Sequence, residues 1–439
     1  MVPTPILIGG VCKRWRVAII STPLLWTKIR MDIYLPSTLA STLNLFRLFA
    51  ARSGTCSLDI AIGFGQSTTY HGDQMFCPGS VSEAQLELPQ LLVNALAASV
   101  ERWKFLRISY STSFLSMVEQ ALGRRHPWSM QRLRKLVLTF NLGWIGSQNE
   151  IPIRISIFLS APNLRHIDFG HMHNSSWRQE LQLPWQQIEQ LDHVYALNYN
   201  DFTLCLQQSP NLIRFDVLVI RSSPPPTLQA VPNLVRHPLQ SLSVHFRDEC
   251  TTFLRNTVLS HLRDLRITHV HSSFPWEVVT SFMSASPALR RLVLRIRHFK
   301  VLHEDMRTML HALPRLEEFE LFYCQISQQT CSNELFADLT LTSSARCDTS
   351  ALLPNLRVLS LVGVFAMDPI IFTAMIRSRS GKDAPGTTTL QSLHMYIMEN
   401  DILLTSDDLA EVKALMGYRA HIYQIDRMPF RSPTFPDLL

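Results

Sequence analysis

A chain of 439 residues with 46% hydrophobic residues has material for a large core, which excludes intrinsic disorder as its ground state. Charged residues make up only 17%, and 41 Lys plus Arg against 35 Asp plus Glu leave a net charge of +6, which does not demand a nucleic-acid partner. The densest basic run, Arg290, Arg291, Arg295, Arg297 and Lys300, is local, and no apolar run reaches the roughly 18 residues of a membrane span.

In chain order, the first apolar stretch, Ile6 to Ile8, has no Lys or Arg before it and is soon followed by Lys13 and Arg14, unlike a secretory signal. The eight cysteines, at positions 12, 56, 77, 205, 250, 324, 331 and 347, form no CxxC pair and read as reduced, mostly buried thiols. The cytosol or nucleus is the expected compartment. Leu7, Val11, Trp15, Ala18 and Ile19 fall on one face at helical spacing and predict an amphipathic helix. Pro23 starts a second helical turn after Ser21 or Thr22 as cap. An alternating strand, Leu58, Ile60 and Ile62, follows Arg52, Ser53 and Gly54.

From about residue 100 the pattern LxxLxL, often after Pro or Pro-Asn, recurs. Its copies begin with ERWKFLRI (Trp103, Leu106, Ile108), MQRLRKLVL (Leu133, Leu136, Leu138), APNLRHIDF (Leu164, Ile167, Phe169) and SPNLIRFDV (Leu212, Phe215, Val217). HPLQSLSV (Leu239), SHLRDLRI (Leu262), SPALRRLVL (Leu289), LPRLEEFEL (Leu316), LPNLRVLSL (Leu356) and TLQSLHM (Leu390) continue it. The steps from Leu212 to Leu239, Leu262, Leu289 and Leu316 are 27, 23, 27 and 27 residues, inside the leucine-rich-repeat range of about 20–29. A weaker copy, QQIEQLDHV, puts Ile188 24 residues from both Leu164 and Leu212. The 40-residue step from Leu316 to Leu356 carries its surplus in the polar stretch 340–350, a predicted surface loop. Each copy predicts a short strand with one buried face and a return segment, helical at Trp276 to Ser284. Stacked in parallel, such units bury a continuous core, so the predicted fold class is α/β, a leucine-rich-repeat solenoid with a curved parallel sheet and helical or irregular returns. Thr405 or Ser406, followed by acidic residues, predicts a terminal capping helix.

The opening ILIGGVCKRWRVAIISTPLLWTKI resembles F-box proteins of the fungal leucine-rich-repeat type. Val11, Cys12, Trp15 and Arg16 look like that family's "VCRRWR" helix, and Ser21, Thr22, Pro23, Leu25 and Trp26 like its "STPxLW" turn and final helix. LFRLFAARSGTCSLDIAI is similar to the stretch joining F-box to repeats, so the resemblance covers about residues 6–64 by motif and the remainder by repeat architecture. The family's F-box opens with a Leu-Pro-x-Glu-Leu-type helix, and only Met1 to Pro5 precede the matching portion here, so the resemblance implies an N-terminally incomplete F-box. It further implies binding of a Skp-type linker of a cullin ubiquitin ligase through Val11, Cys12, Trp15, Pro23, Leu25 and Trp26.

In LxxLxL strands the non-leucine positions are expected on the concave face, the middle ones being Arg107, Val137, Asp168, Asp192, Asp216, Ser243, Arg266, Val293, Glu320, Ser360 and His394. Asp168, Asp192 and Asp216 would stack about 4.8 Å apart and repel unless a cation or basic ligand intervened. Arg266, Arg291 and Arg295 offer the alternative, neutralisation by ordinary cross-strand pairs. These six are the candidate partner-binding residues.

Catalytic signatures are missing: there is no GxxxxGK[ST], GxGxxG or GxSxG, and 15 glycines leave few loops to cradle phosphate. His171 with His173 and His269 with His271 have strand-face ligand spacing but no matching second pair, and read as surface or concave-face histidines. HEDM at His303 lacks the second histidine of HExxH. Trp144, Trp177, Trp185 and Trp276 read as filling irregular core space rather than as partner anchors. The sequence divides into partial F-box-like helices (1–34), a junction with a first irregular repeat (35–99), the solenoid (100–400), and a cap helix with tail (401–439). The resulting expectation is a non-catalytic substrate-recognition subunit of an SCF-type ubiquitin ligase. It would bind a protein substrate through its repeats, with no cofactor, metal, nucleic acid or membrane. The alternative is a leucine-rich-repeat scaffold that has lost linker binding because its F-box is incomplete.

Overall fold

The computed structural model describes residues 4–33, 36–64, 83–110, 112–123, 129–140, 155–170, 181–195, 199–219, 235–246, 250–269, 274–296, 303–323, 333–341, 352–363, 368–380, 389–398 and 404–425. The chain forms two compact units, Met1–Leu197 with Leu204–Asp216, and Asn198–Thr203 with Val217–Leu439.

The first unit opens with helices α1 (Thr4–Gly9) and α2 (Lys13–Ile20). The expected single amphipathic helix is thus broken in two. Gly9 and Gly10 each weaken helix by about 1 kcal/mol relative to alanine, the Gly10 N–H closes α1 onto the Ile6 and Leu7 carbonyls, and extended Cys12 caps α2 by accepting from the Trp15 N–H. The motif resembling a final F-box helix is one 3₁₀ turn, Pro23–Trp26, and the chain runs directly into strand β1 (Lys28–Ile33). Alternation of inward Ile29 and Met31 decides for strand there. Helix α3 (Pro36–Arg52), strand β2 (Leu58–Phe64), helix α4 (Glu83–Ala97), strand β3 (Trp103–Tyr110), helix α5 (Thr112–Gly123) and strand β4 (Lys135–Phe140) follow. Strands β5 (His166–Asp168), β6 (Gln190–Tyr195) and β7 (Arg214–Val219) come next, the first two after 3₁₀ turns at Ile157–Ser160 and Trp185–Gln187, and β7 after helix α6 (Tyr199–Gln208). Pairing is parallel and follows chain order. The weak copy at Ile188 is a full repeat: Ile188 and Leu191 are buried, and β6 pairs with β5 in register.

In the second unit, short strands β8 (Val235–Arg236) and β10 (Thr257–Val258) pair with each other. The main parallel ladder runs β9 (Ser241–Phe246), β11 (Asp264–His269), β12 (Arg291–Ile296), β13 (Glu318–Tyr323), β14 (Val358–Gly363), β15 (Ser392–Met398) and β16 (Ala420–Ile425). Between them lie helices α7 (Thr251–Arg255), α8 (Trp276–Ser284), α9 (His303–His311), α10 (Asn333–Leu339), α11 (Pro369–Ser380) and α12 (Ser406–Met416). Thr405 caps α12 in a capping box with Asp408, but the helix does not end the array, because β16 adds one more parallel strand beyond it.

The repeat works the same way throughout. The leucine-type positions are buried, as at Leu136 and Leu138 or Leu359 and Leu361, and pack on the helical returns. The intervening residues, half-buried by their neighbours, make the other, open face. Backbone N–H groups of each copy reach the carbonyl of the copy before, as Arg290 and Arg291 do to Arg263 and Glu317 and Glu318 do to Arg290. The Asn of Pro-Asn-Leu extends this staple: Asn163, Asn211 and Asn355 donate to the carbonyls of Gln131, Gln186 and Pro314 at 2.6, 2.7 and 2.9 Å. Where the step lengthens to 40 residues, buried Arg379 of α11 donates to the carbonyls of Leu339, Leu352 and Leu353 at 2.6, 2.7 and 3.0 Å, holding both ends of the surplus segment. Residues 342–351 themselves lie outside the described residues.

Candidate protein-interaction surfaces

The N-terminal segment of the first unit exposes large apolar side chains that a folded chain normally buries. Val11 is 68% exposed and Trp15 52%, and Leu7, Val17, Ile20, Leu24 and Leu25 are exposed beside them. Pro23 and Cys12 are exposed too. Trp26 differs from its sequence-level assignment to this surface. It is 3% exposed, its indole N–H donates to the Ile19 carbonyl at 2.8 Å, its ring meets Phe49 edge-on at 5.0 Å, and the Arg52 guanidinium lies 4.9 Å from the ring centre. Ile19 is buried with it. Trp26 therefore fixes the segment onto α3 while Val11, Trp15 and Leu25 stay available.

On the open face of the first unit, Arg107, Val137, Asp168 and Asp192 stand in one register row across β3 to β6. Val137 is covered by its neighbours instead of presenting a surface. Asp168 and Asp192 are answered by residues of the adjacent strands. His166 Nε2 lies 2.7 Å from Asp192, His193 Nδ1 lies 3.0 Å from Asp168, and Arg214 Nε lies 3.3 Å from Asp192. The crossed pairing depends on His193 adopting φ +53, which interrupts β6's alternation so that Asp192 and His193 both leave the core while Leu191 and Val194 enter it. The Gly170 N–H adds a bond to Asp168 at 2.9 Å.

Burial acts to raise the Asp168 carboxyl, but the bonds from His193 and Gly170 outweigh it and leave it below the ordinary value. Asp192 is likewise lowered, with burial opposed by His166 and Arg214. His193 is held above the usual imidazole range by its bond to Asp168, against burial, with Asp216 and Asp192 adding to the pull. Among the described residues no group of three His, Cys, Asp or Glu side chains is placed to hold a metal ion. The expected neutralisers, Arg291 and Arg295, pair elsewhere, with carboxylates of their own unit.

In the second unit Ser243, Arg266, Val293, Glu320, Ser360 and His394 share one row across β9 to β15, extended by His421 of β16. Val293, like Val137, is buried. Arg291 bridges Asp264 at 3.6 Å and Glu318 at 3.1 Å, Arg295 meets Glu320 at 3.4 Å, and Arg290 meets Glu317 at 3.1 Å. The described part of the basic run is thus spent on ion pairs. Burial, and then Arg295 and Arg291, push the Arg266 guanidinium below its ordinary value. At the far edge His394 stacks on His421 at 5.0 Å and Tyr396 on Tyr423 at 4.9 Å.

Sequence reading missed His166, His193 and Arg214, whose signal was their place beside the aspartates in HID, LDHV and IRFD. It also missed β16, although Ala420 lies one 27-residue step beyond its partner Leu393. His269, expected on a surface, is fully buried with its ring against Phe274 at 5.3 Å, and Trp276 is buried core. His171, His173, His271, Trp144, Trp177, Arg297 and Lys300 lie outside the described residues. No described helix is long and apolar enough to cross a membrane.

No family model and no curated protein matches the chain. One solved structure that does match is the leucine-rich-repeat-containing protein LegL7 from Legionella pneumophila, at 15% identity, covering 82% of this chain and 99% of that chain, with a TM-score of 0.37. The repeat assignment rests on the in-register parallel strands and the buried leucine positions of the chain itself.

Proposed function

We propose that this chain is a non-catalytic recognition protein that binds a protein substrate on the open face of its repeats and attaches, through its N-terminal helices, to the Skp-type linker of a cullin ubiquitin ligase. The observation that carries the attachment is the exposed apolar group formed by Val11, Trp15, Leu24 and Leu25 on a segment that Trp26 and Ile19 hold in place. Such exposed apolar side chains, with Lys13, Arg14 and Arg16 exposed on the same segment, have the composition of a protein-docking surface. Leucine-rich open faces suit substrate selection because side chains there vary without disturbing the buried ladder.

The burial of Trp26 favours a second reading, in which the segment only caps the ladder and the chain is a scaffold without linker binding. A pull-down with a purified Skp-type linker separates them. Stoichiometric capture, lost in a folded Val11→Ser, Trp15→Ala variant, is expected for the ligase adaptor. No capture by the folded wild-type chain leaves the scaffold.

A further inference from the structure

The open face of the second unit holds a cation short of an anion beside a strip of rings. Among the described residues no carboxylate comes within salt-bridge distance of Arg266, since Asp264, Glu318 and Glu320 are taken by Arg291 and Arg295. Further along the ladder Phe322, Val362, Tyr396 and Tyr423 occupy one row on four adjacent strands, β13 to β16. The first three are half-buried and Tyr423 is 50% exposed on β16, the last strand of the ladder.

We infer that this face receives one extended segment of a partner protein, whose aspartate or glutamate seats on Arg266 and whose following apolar residues lie along Phe322, Val362, Tyr396 and Tyr423. The inference rests on the reading of the repeats as the substrate-binding part. An acid on Arg266 would supply the charge that its arginine neighbours deny it, and a guanidinium fork binds a carboxylate with two parallel bonds. Strands about 4.8 Å apart put β13 about 10 Å and β16 about 24 Å from β11, and an extended chain advances about 3.3 Å per residue. The acid therefore precedes the first apolar residue by about three positions, in a segment of about eight residues. Arginine beside aromatic rings also fits single-stranded nucleic acid. Arg266, Arg291 and Arg295 are, however, balanced in number by Asp264, Glu318 and Glu320, so the face has no surplus positive charge to hold a phosphate backbone, while a single carboxylate can still reach the unbridged Arg266.

The test is selection of a displayed library of random peptides of about twelve residues, long enough to span the row, on the full chain. Enriched peptides are then titrated by fluorescence anisotropy against wild type, Arg266→Gln and a Tyr396→Ser, Tyr423→Ser double variant, each matched to wild type in thermal unfolding. The expected peptides carry Asp or Glu about three positions before aromatic or aliphatic residues. Each variant is expected to weaken them at least about tenfold, which is about 1.4 kcal/mol. Replacing the peptide's acid by its amide should do the same, independently of how any variant folds. Absence of enrichment, peptides without that spacing, affinity unchanged in the variants, or displacement by a poly-uridine oligonucleotide would each overturn the inference. Peptides that bind the variants as tightly as wild type would leave the repeats a protein-binding scaffold with its site elsewhere, and linker capture by the N-terminal segment is read separately.

Discussion

Arg379 takes its guanidinium into the interior of the second unit, where burial lowers its pKa to about 10, in order to reach three backbone carbonyls. Arg379→Met leaves the Leu339 and Leu352 carbonyls without donors, at about 1–3 kcal/mol each for an unsatisfied buried group, while Leu353 keeps the Leu356 N–H. Urea unfolding should therefore show a loss of about 2 kcal/mol or more, and Arg379→Lys should recover only part, since one ammonium cannot span the fork. A loss below about 1 kcal/mol would contradict the clamp.

The His193–Asp168 pair makes a pH-dependent prediction. His193's folded pKa is raised, so its contribution is full below about 6.5, the unfolded imidazole value, and is lost as pH rises through the higher folded value. Asp168's folded pKa is lowered, so its contribution is present above about 3.9 and is lost as pH falls through the folded value. With His193 48% exposed on its side chain, solvent screening keeps the effect below about 1 kcal/mol. Destabilisation by His193→Ala should be larger at pH 6 than at pH 9, in thermal melts of both proteins. Equal destabilisation at the two values would show that the imidazole charge does not matter. LDHV placed His193 beside an aspartate in the sequence, but which aspartate it would meet was not legible, because a histidine at φ +53 breaks the alternation from which side-chain direction is read.

At the scale of elements, sequence served well wherever one local rule dominated. Alternating leucines gave β3, β4, β9 and β11 to β15, the helical return at Trp276–Ser284 appears with those bounds, and Thr405 caps α12. Thr405→Ala should cost about 1 kcal/mol, since Asp408 loses both the backbone bond from its own N–H and its hydroxyl partner at 2.7 Å. Unchanged stability in that variant would mean the capping box adds nothing. Reading failed where two rules competed. Between Leu7 and Ile19 the helical period was clean, but paired glycines and an extended Cys12 cut it. The helical turn expected at Pro23 is there as the 3₁₀ turn Pro23–Trp26, but the strand β1 right after it, with Ile29 and Met31 inward against Ile60 and Ile62, was not expected. The register of the open-face positions was readable from the spacing, but the burial of Val137 and Val293 was not.

For the whole molecule, repeat spacing alone indicated a parallel leucine-rich ladder, since each unit needs a neighbour to bury its leucines. The proposed N-terminal docking surface was half legible. Its motif singled out Val11, Trp15, Leu25 and Trp26 together, and only the packing of Trp26 on Phe49 separates the anchor from the exposed residues. Trp26→Ala should therefore destabilise the first unit by about 3–5 kcal/mol, the usual cost of truncating a buried tryptophan. Trp15→Ala should leave unfolding within about 0.5 kcal/mol of wild type, and chemical denaturation of the two variants distinguishes them.

The proposed division of labour between an exposed docking segment and a repeat ladder is tested most directly by titration calorimetry of a Skp-type linker into the folded chain and its Trp15→Ala, Leu25→Ala variant. One-to-one binding with a negative heat-capacity change, lost in the variant, is the expected result. No binding by the folded wild-type chain, or equal binding by the variant, would contradict it.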